Sequence, residues 1–156
     1  MKQKIAIITP VPAMIESVIE NSMIRKAVNN GILDVHIVNP RDFTKGSYRQ
    51  IDDTPFGGGS GMLLKADVLA KSIDQNKKES ERIFYLSPKG KKFDQKLAKE
   101  LSQEKSISLI CGHFEGVDER VLTTRNIEEI SIGDYVLSGG ESAALVVLDS
   151  ICLLYT

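Results

Sequence analysis

Five short apolar runs, separated by stretches whose apolar residues recur at helical spacing, constrain this chain more than any other feature. In the first, Ile5, Ala6, Ile7 and Ile8 are continuous rather than alternating. That is the pattern of a strand covered on both faces of a parallel sheet. Further strands are predicted over Leu33–Val38, Ile83–Leu86, Ser106–Cys111 and Asn126–Ile132. Helical spacing runs from Met14 to Asn29 through Ile15, Val18, Ile19, Met23 and Ile24, with Asn29, Asn30 and Gly31 as the stop. Helices are also predicted over Lys65–Gln75 and Asp94–Gln103, and a charged surface turn over Asn76–Glu81. Strands alternating with helices imply an α/β domain with a mainly parallel sheet and flanking helices.

The 156 residues, 42% hydrophobic and 26% charged, suit one domain with a sizeable core, and nothing in them suggests a second. A formal charge of −1 gives no global signal for nucleic acid and leaves room only for a local basic patch. Cys111 and Cys152 lie in apolar surroundings and resemble neither a disulfide framework nor a zinc site, so a reducing, cytoplasmic setting without a bound metal is expected. Met1–Thr9 has no cleavable signal pattern. Ser142–Tyr155 contains Asp149 and is too short to span a bilayer, so it reads as a buried or interface helix and no membrane partner is expected.

Ligands of open parallel sheets sit beyond the carboxyl ends of the strands. Three predicted strand ends carry glycine-containing polar loops: Ser87–Gly90, which reads as a sharp turn ending its strand, Gly112–Gly116, and Gly133–Gly140. Their convergence predicts a small-molecule pocket lined largely by backbone groups. The last loop belongs to Glu129–Glu141, EISIGDYVLSGGE, in which Ser138 and Glu141 have capping-box spacing and predict a helix start. Free amides there can hold a polar ligand, while the plain alternative is an ordinary strand-to-helix turn. No periodicity marks Asn39–Leu63, and Gly57, Gly58, Gly59 and Gly61 allow close backbone approach to another molecule or, equally, a flexible linker. Their spacing fits neither a dinucleotide fingerprint nor a P-loop. Lys89, Lys91, Lys92, Lys96 and Lys99 are either solvated or in contact with phosphate. His36, flanked by Val35 and Ile37, reads as a structural histidine.

Four segments occur in one order: DDTPFGGGSGM at Asp52–Met62, LSPKG at Leu86–Gly90, CGHFEGVDERV at Cys111–Val121, and Glu129–Glu141. Together they resemble the bacterial tRNA (guanine-N1)-methyltransferase family, which modifies guanine 37 of tRNA with S-adenosylmethionine, and the resemblance covers essentially the whole chain. It implies a SPOUT-type fold with a carboxyl-terminal trefoil knot, which periodicity cannot reveal. It also implies a homodimer with each donor site near the subunit interface. Carried over residue by residue, the donor pocket involves Tyr85, Leu86, Ser87 and Pro88, then Gly112, then Ile132, Gly133, Asp134, Tyr135, Val136 and Leu137, with Gly139 and Gly140 completing the bend. Glu115 lies by resemblance near the donor and the guanine edge as a substrate-positioning catalytic group, and Asp53 with Gly57, Gly58, Gly59 and Gly61 forms the substrate side of the cleft.

In such a reaction guanine N1 attacks the sulfonium methyl group, and because N1 carries a proton a general base assists. The family's proposed base is an aspartate in a linker that follows this domain, and Thr156 is reached before any such residue. Where the family presents an arginine in the last helix, this chain has Leu153. By the resemblance, the expectation is a chain without the family's linker and the carboxyl-terminal helical domain that grips tRNA. The expectation is a domain over residues 1–156 that binds S-adenosylmethionine and is weak or inactive on tRNA alone. A non-catalytic donor-binding or dimerisation remnant is the second reading, and an unrelated nucleotide-binding α/β protein the third.

Overall fold

In a computed structural model, residues 2–44, 52–53, 63–64, 66–76, 81–112 and 116–155 are described, at positions 52, 53, 63, 64 and 76 for the backbone alone. Strands β1 (Gln3–Ile8), β2 (Leu33–Val38), β5 (Arg82–Lys92), β6 (Ser106–Ile110) and β7 (Glu128–Ser131) form one sheet in the order β2-β1-β6-β5-β7. Every neighbouring pair is parallel. Two further short strands, β3 (Asp52–Asp53) and β4 (Leu63–Leu64), pair antiparallel with each other and close the ends of the glycine-rich stretch.

Helices cover both faces, which is why the strands are apolar without alternation. Helices α1 (Pro12–Ile19), α2 (Met23–Asn29), α4 (Gln95–Ser102) and α6 (Glu141–Leu153) share one core with Ile5, Ile7, Phe84, Leu86, Leu109 and Ile130. The other face buries Ile8, Ile83, Tyr85 and Ile110 against Val68, Leu69 and Ile73 of α3 (Ala66–Asn76) and Val121 and Leu122 of α5 (Glu119–Thr124). Cys111 and Cys152 are buried free thiols.

The elements differ from the sequence expectation at five places. The single helix expected over Met14–Asn29 is two, because Ser22 starts α2 afresh by accepting a hydrogen bond from the Ile24 amide at 3.2 Å. Gly31 ends α2 at a φ of 72°, as the stop signal required. Asn39–Leu63 is not wholly irregular: Pro40–Phe43 forms a 3-10 turn capped by the Asn39 side chain, ahead of β3. Glu81 is no surface group: its buried carboxylate accepts from the hydroxyls of Ser106 at 3.0 Å and Ser108 at 2.9 Å.

Fourth, the strand through Leu86 does not end there. Leu86 and Lys91 both register against Ile130 of β7, so Ser87–Gly90 is an excursion inside β5 and pairing resumes beyond it. Gly90 permits the return, since a Cβ on it would lie 2.4 Å from the Ile130 amide nitrogen.

Fifth, the capping box over Ser138 and Glu141 does not form. Helix α6 starts two residues later than that spacing predicts, with Gly140 as its N-cap and no side-chain cap.

Candidate functional site at the strand tips

Beyond the carboxyl ends of β5, β6 and β7 lies one cavity of about 460 Å³. The β5 excursion forms one wall, with Tyr85 and Leu86 at its root and Ser87, Pro88 and Lys89 along it. Gly112, Gly116 and Val117 follow β6, and Ile132, Gly133 and the Tyr135–Gly140 segment follow β7. All three tip loops singled out in the sequence therefore meet here. Every expected donor-pocket residue lines this cavity except Asp134, which is exposed.

Glycines let these loops close on one another. Gly140 donates its amide to the Gly112 carbonyl at 2.8 Å. A Cβ on Gly140 would stand 2.8 Å from the Cys111 Cα and 2.9 Å from the Gly112 nitrogen, contacts that only glycine avoids. Similarly, a Cβ on Gly112 would meet the Tyr85 ring at 2.6 Å. The backbone of the β6 tip is thus clamped between a tyrosine ring and the turn that opens α6. Ser131 stiffens the start of the β7 loop, accepting from the Gly133 amide at 3.2 Å and donating to the Gly133 carbonyl at 2.8 Å.

Electrostatically the cavity is mild. Burial raises the Tyr85 hydroxyl above its ordinary value, with the nearby Glu129 carboxylate adding to the shift. Glu119, Glu129 and Lys89 are the charged residues of its lining. Asp118 caps α5 through the Arg120 amide at 2.9 Å, and its hydrogen bonds with the Arg120 side chain hold its carboxyl below the usual range. Tyr135, Val136 and Leu137 are exposed at 53%, 87% and 40%, an apolar lip that a bound ring or a second protein surface can cover.

Glu115, Gly57, Gly58, Gly59 and Gly61 lie outside the described residues, and of Asp53 only the backbone, in β3, is described. Leu153 is 60% exposed near the end of α6. Sequence reasoning missed Val117, Leu122, Glu129 and Ala143 in the cavity wall, and the buried pair of Thr9 and Glu141 behind it. For Thr9 the available signal was a polar residue closing an otherwise apolar strand. Among the described residues no helix is long and apolar enough to cross a membrane.

The family description tRNA (guanine-1)-methyltransferase TrmD matches residues 3–155. The tRNA (guanine-N(1)-)-methyltransferase of Pelagibacter ubique (strain HTCC1062) is 66% identical over 145 residues, 93% of this chain and 64% of that protein. The proteins of the same name from Buchnera aphidicola subsp. Baizongia pistaciae and Bartonella tribocorum are 47% and 46% identical, covering 95% and 97% of this chain. The chain spans 64%, 61% and 65% of the lengths of these three relatives. With a match that runs from β1 through α6 and takes in all three cavity loops, the chain belongs to the tRNA (guanine-1)-methyltransferase family.

Proposed function

We propose that the strand-tip cavity is the S-adenosylmethionine site of a tRNA (guanine-N1)-methyltransferase acting on guanine 37. The observation that carries this reading is the meeting of three sequence-separated glycine loops in one space of about 460 Å³, within the range of small-molecule sites. The residues fit the group. An adenine ring needs apolar walls and backbone donors and acceptors, which Leu86, Ile132, Leu137 and the glycine loops supply. S-adenosylmethionine would bring an electrophilic methyl group. The chain's own part is to enclose the adenosyl moiety, to exclude water with the β5 excursion and the Tyr135–Leu137 lip, and to present the guanine edge in line. By resemblance Glu115 and Asp53 belong to the substrate side, and the proton on guanine N1 goes to a base in the further length of the relatives.

The reading extends to the other expected properties. Residues 1–156 form the donor-binding SPOUT domain, the carboxyl-terminal part is threaded as a trefoil knot, and two copies associate. Support for the threading comes from the crossover after β6, which passes β5, forms β7 and returns to bind Gly112 through Gly140. Support for association comes from Val146 and Leu153, exposed apolar residues on α6, and from the exposed Tyr135–Leu137 lip. tRNA is met on the side of Lys89, Lys91, Lys92, Lys96 and Lys99; Lys89 lies on the cavity wall, and none of the five is in an ion pair among the described residues.

Calorimetric titration with S-adenosylhomocysteine is expected to show saturable one-site binding. Absence of heat at high ligand concentration, together with no shift in melting temperature, would remove the donor reading. Leu153, where the family presents arginine, favours a second reading, a donor-binding domain without catalysis of its own. Formation of N1-methylguanosine in a tRNA transcript by the purified chain and donor would dispose of that second reading.

A further inference from the structure

Glu141 is 1% exposed, yet it lines no part of the cavity. It occupies the first position of α6, where the positive end of the helix favours a carboxylate. Its Oε2 accepts a hydrogen bond from the Thr9 hydroxyl at 2.6 Å. Thr9 is itself fully buried, receives the Val11 amide on the same hydroxyl at 2.9 Å, and closes β1. The buried Cys111 thiol, directly after β6, lies near the same carboxylate, whose charge helps to keep it protonated. One buried group therefore reaches the end of β1 from the root of the helix whose preceding residue, Gly140, bonds Gly112.

A buried carboxylate costs stability that an apolar side chain of similar size would not. What it supplies here is a fixed distance. Without the tie, α6 is free to slide along the sheet by a fraction of an ångström, and the Gly139–Gly140 bend moves with it. We propose that Glu141 is a positioning residue for the cavity: through Thr9 it holds the start of α6 on the tip of β1 and so sets the Gly140-to-Gly112 contact that joins α6 to the tip of β6. The inference rests on the reading of the cavity as the donor site, but its first readout needs no ligand.

The full chain is compared with Glu141→Ala, Glu141→Gln and Thr9→Val, and with Leu33→Ala as a control for lost stability at the far end of the sheet, where Leu33 is fully buried. Two quantities are read: hydrogen exchange of the Gly140 amide in the ligand-free protein, and the dissociation constant for S-adenosylhomocysteine. Glu141→Ala is expected to speed Gly140 exchange and weaken binding, each at least about tenfold beyond the control. Glu141→Gln keeps an acceptor for Thr9 and recovers most of both. Thr9→Val, nearly isosteric, reproduces the alanine effect and stands in if Glu141→Ala does not fold. Gly140 exchange equal to the control overturns the proposal, as does unchanged affinity in a chain that binds the ligand. A parent chain that binds no S-adenosylhomocysteine removes the donor reading, and Gly140 exchange alone then decides the role of Glu141.

Discussion

At the scale of single residues, the cavity depends on atoms that are missing. Gly140 has backbone neighbours on the side a Cβ would occupy, and backbone cannot swing aside as a side chain can. Gly140→Val should weaken S-adenosylhomocysteine binding at least tenfold, about 1.4 kcal/mol or more, measured by calorimetry. Wild-type affinity in that variant would show that the β6 and α6 tips do not shape the ligand space. Cys111 gives a second expectation. Burial, and then the Glu141 carboxylate, push its thiol well above the ordinary value. The folded chain then keeps a proton that the unfolded chain releases, so the contribution is fully present below the unfolded value, about 8.5, and is lost as pH rises above it. Melting temperature should fall across pH 8.5 to 10, and Cys111→Ala should flatten that fall. The same burial leaves Cys111 unreactive to thiol reagents until the chain unfolds.

Among the elements, local chemistry was legible wherever one side chain decides a boundary. Asp94, where the sequence predicts a helix to begin, caps α4 by accepting from the Leu97 amide at 2.9 Å. Ser138 has the right spacing but heads no helix, because Gly140 must first fold back onto Gly112 and only then can α6 begin. Capping-box spacing registers residue types, not a tertiary contact made before the helix starts. The two positions should therefore separate in a denaturation experiment. Asp94→Ala should cost about 1 kcal/mol, whereas Ser138→Ala should change stability by no more than a few tenths. The break between α1 and α2 was visible in Ser22, but apolar spacing that continues across it hid the new start. Ser87–Gly90 showed its turn residues plainly. What it could not show was that the ladder resumes against the same Ile130, since register is a property of two strands.

For the molecule as a whole, the parallel sheet and the joining of three loops followed from strand patterning and from the rule that ligands sit at carboxyl ends. The strand order was not legible, because β7 passes β5 to reach the edge and no local pattern encodes that crossing. Nor was the buried Thr9–Glu141 tie, whose partners stand 132 residues apart. Charge segregation is also a whole-molecule property. Five lysines and one aspartate lie between Ser87 and Lys99 in a chain of formal charge −1. Replacing Lys91, Lys92, Lys96 and Lys99 by glutamine should weaken binding of an anticodon stem-loop RNA and make its log–log salt dependence shallower by about 3, followed by fluorescence anisotropy. Affinity for S-adenosylhomocysteine should stay as in the parent. An unchanged salt slope would move the RNA face elsewhere.

The β5 excursion has a consequence for how such a pocket can diversify. Both of its feet stand on one rung, Ile130, so the rest of the strand is held in place on either side. The stretch from Ser87 to Lys89 can then be swapped, shortened or lengthened as a replaceable cassette, with Gly90 kept for the return, retuning what the pocket admits while the scaffold beneath keeps its shape.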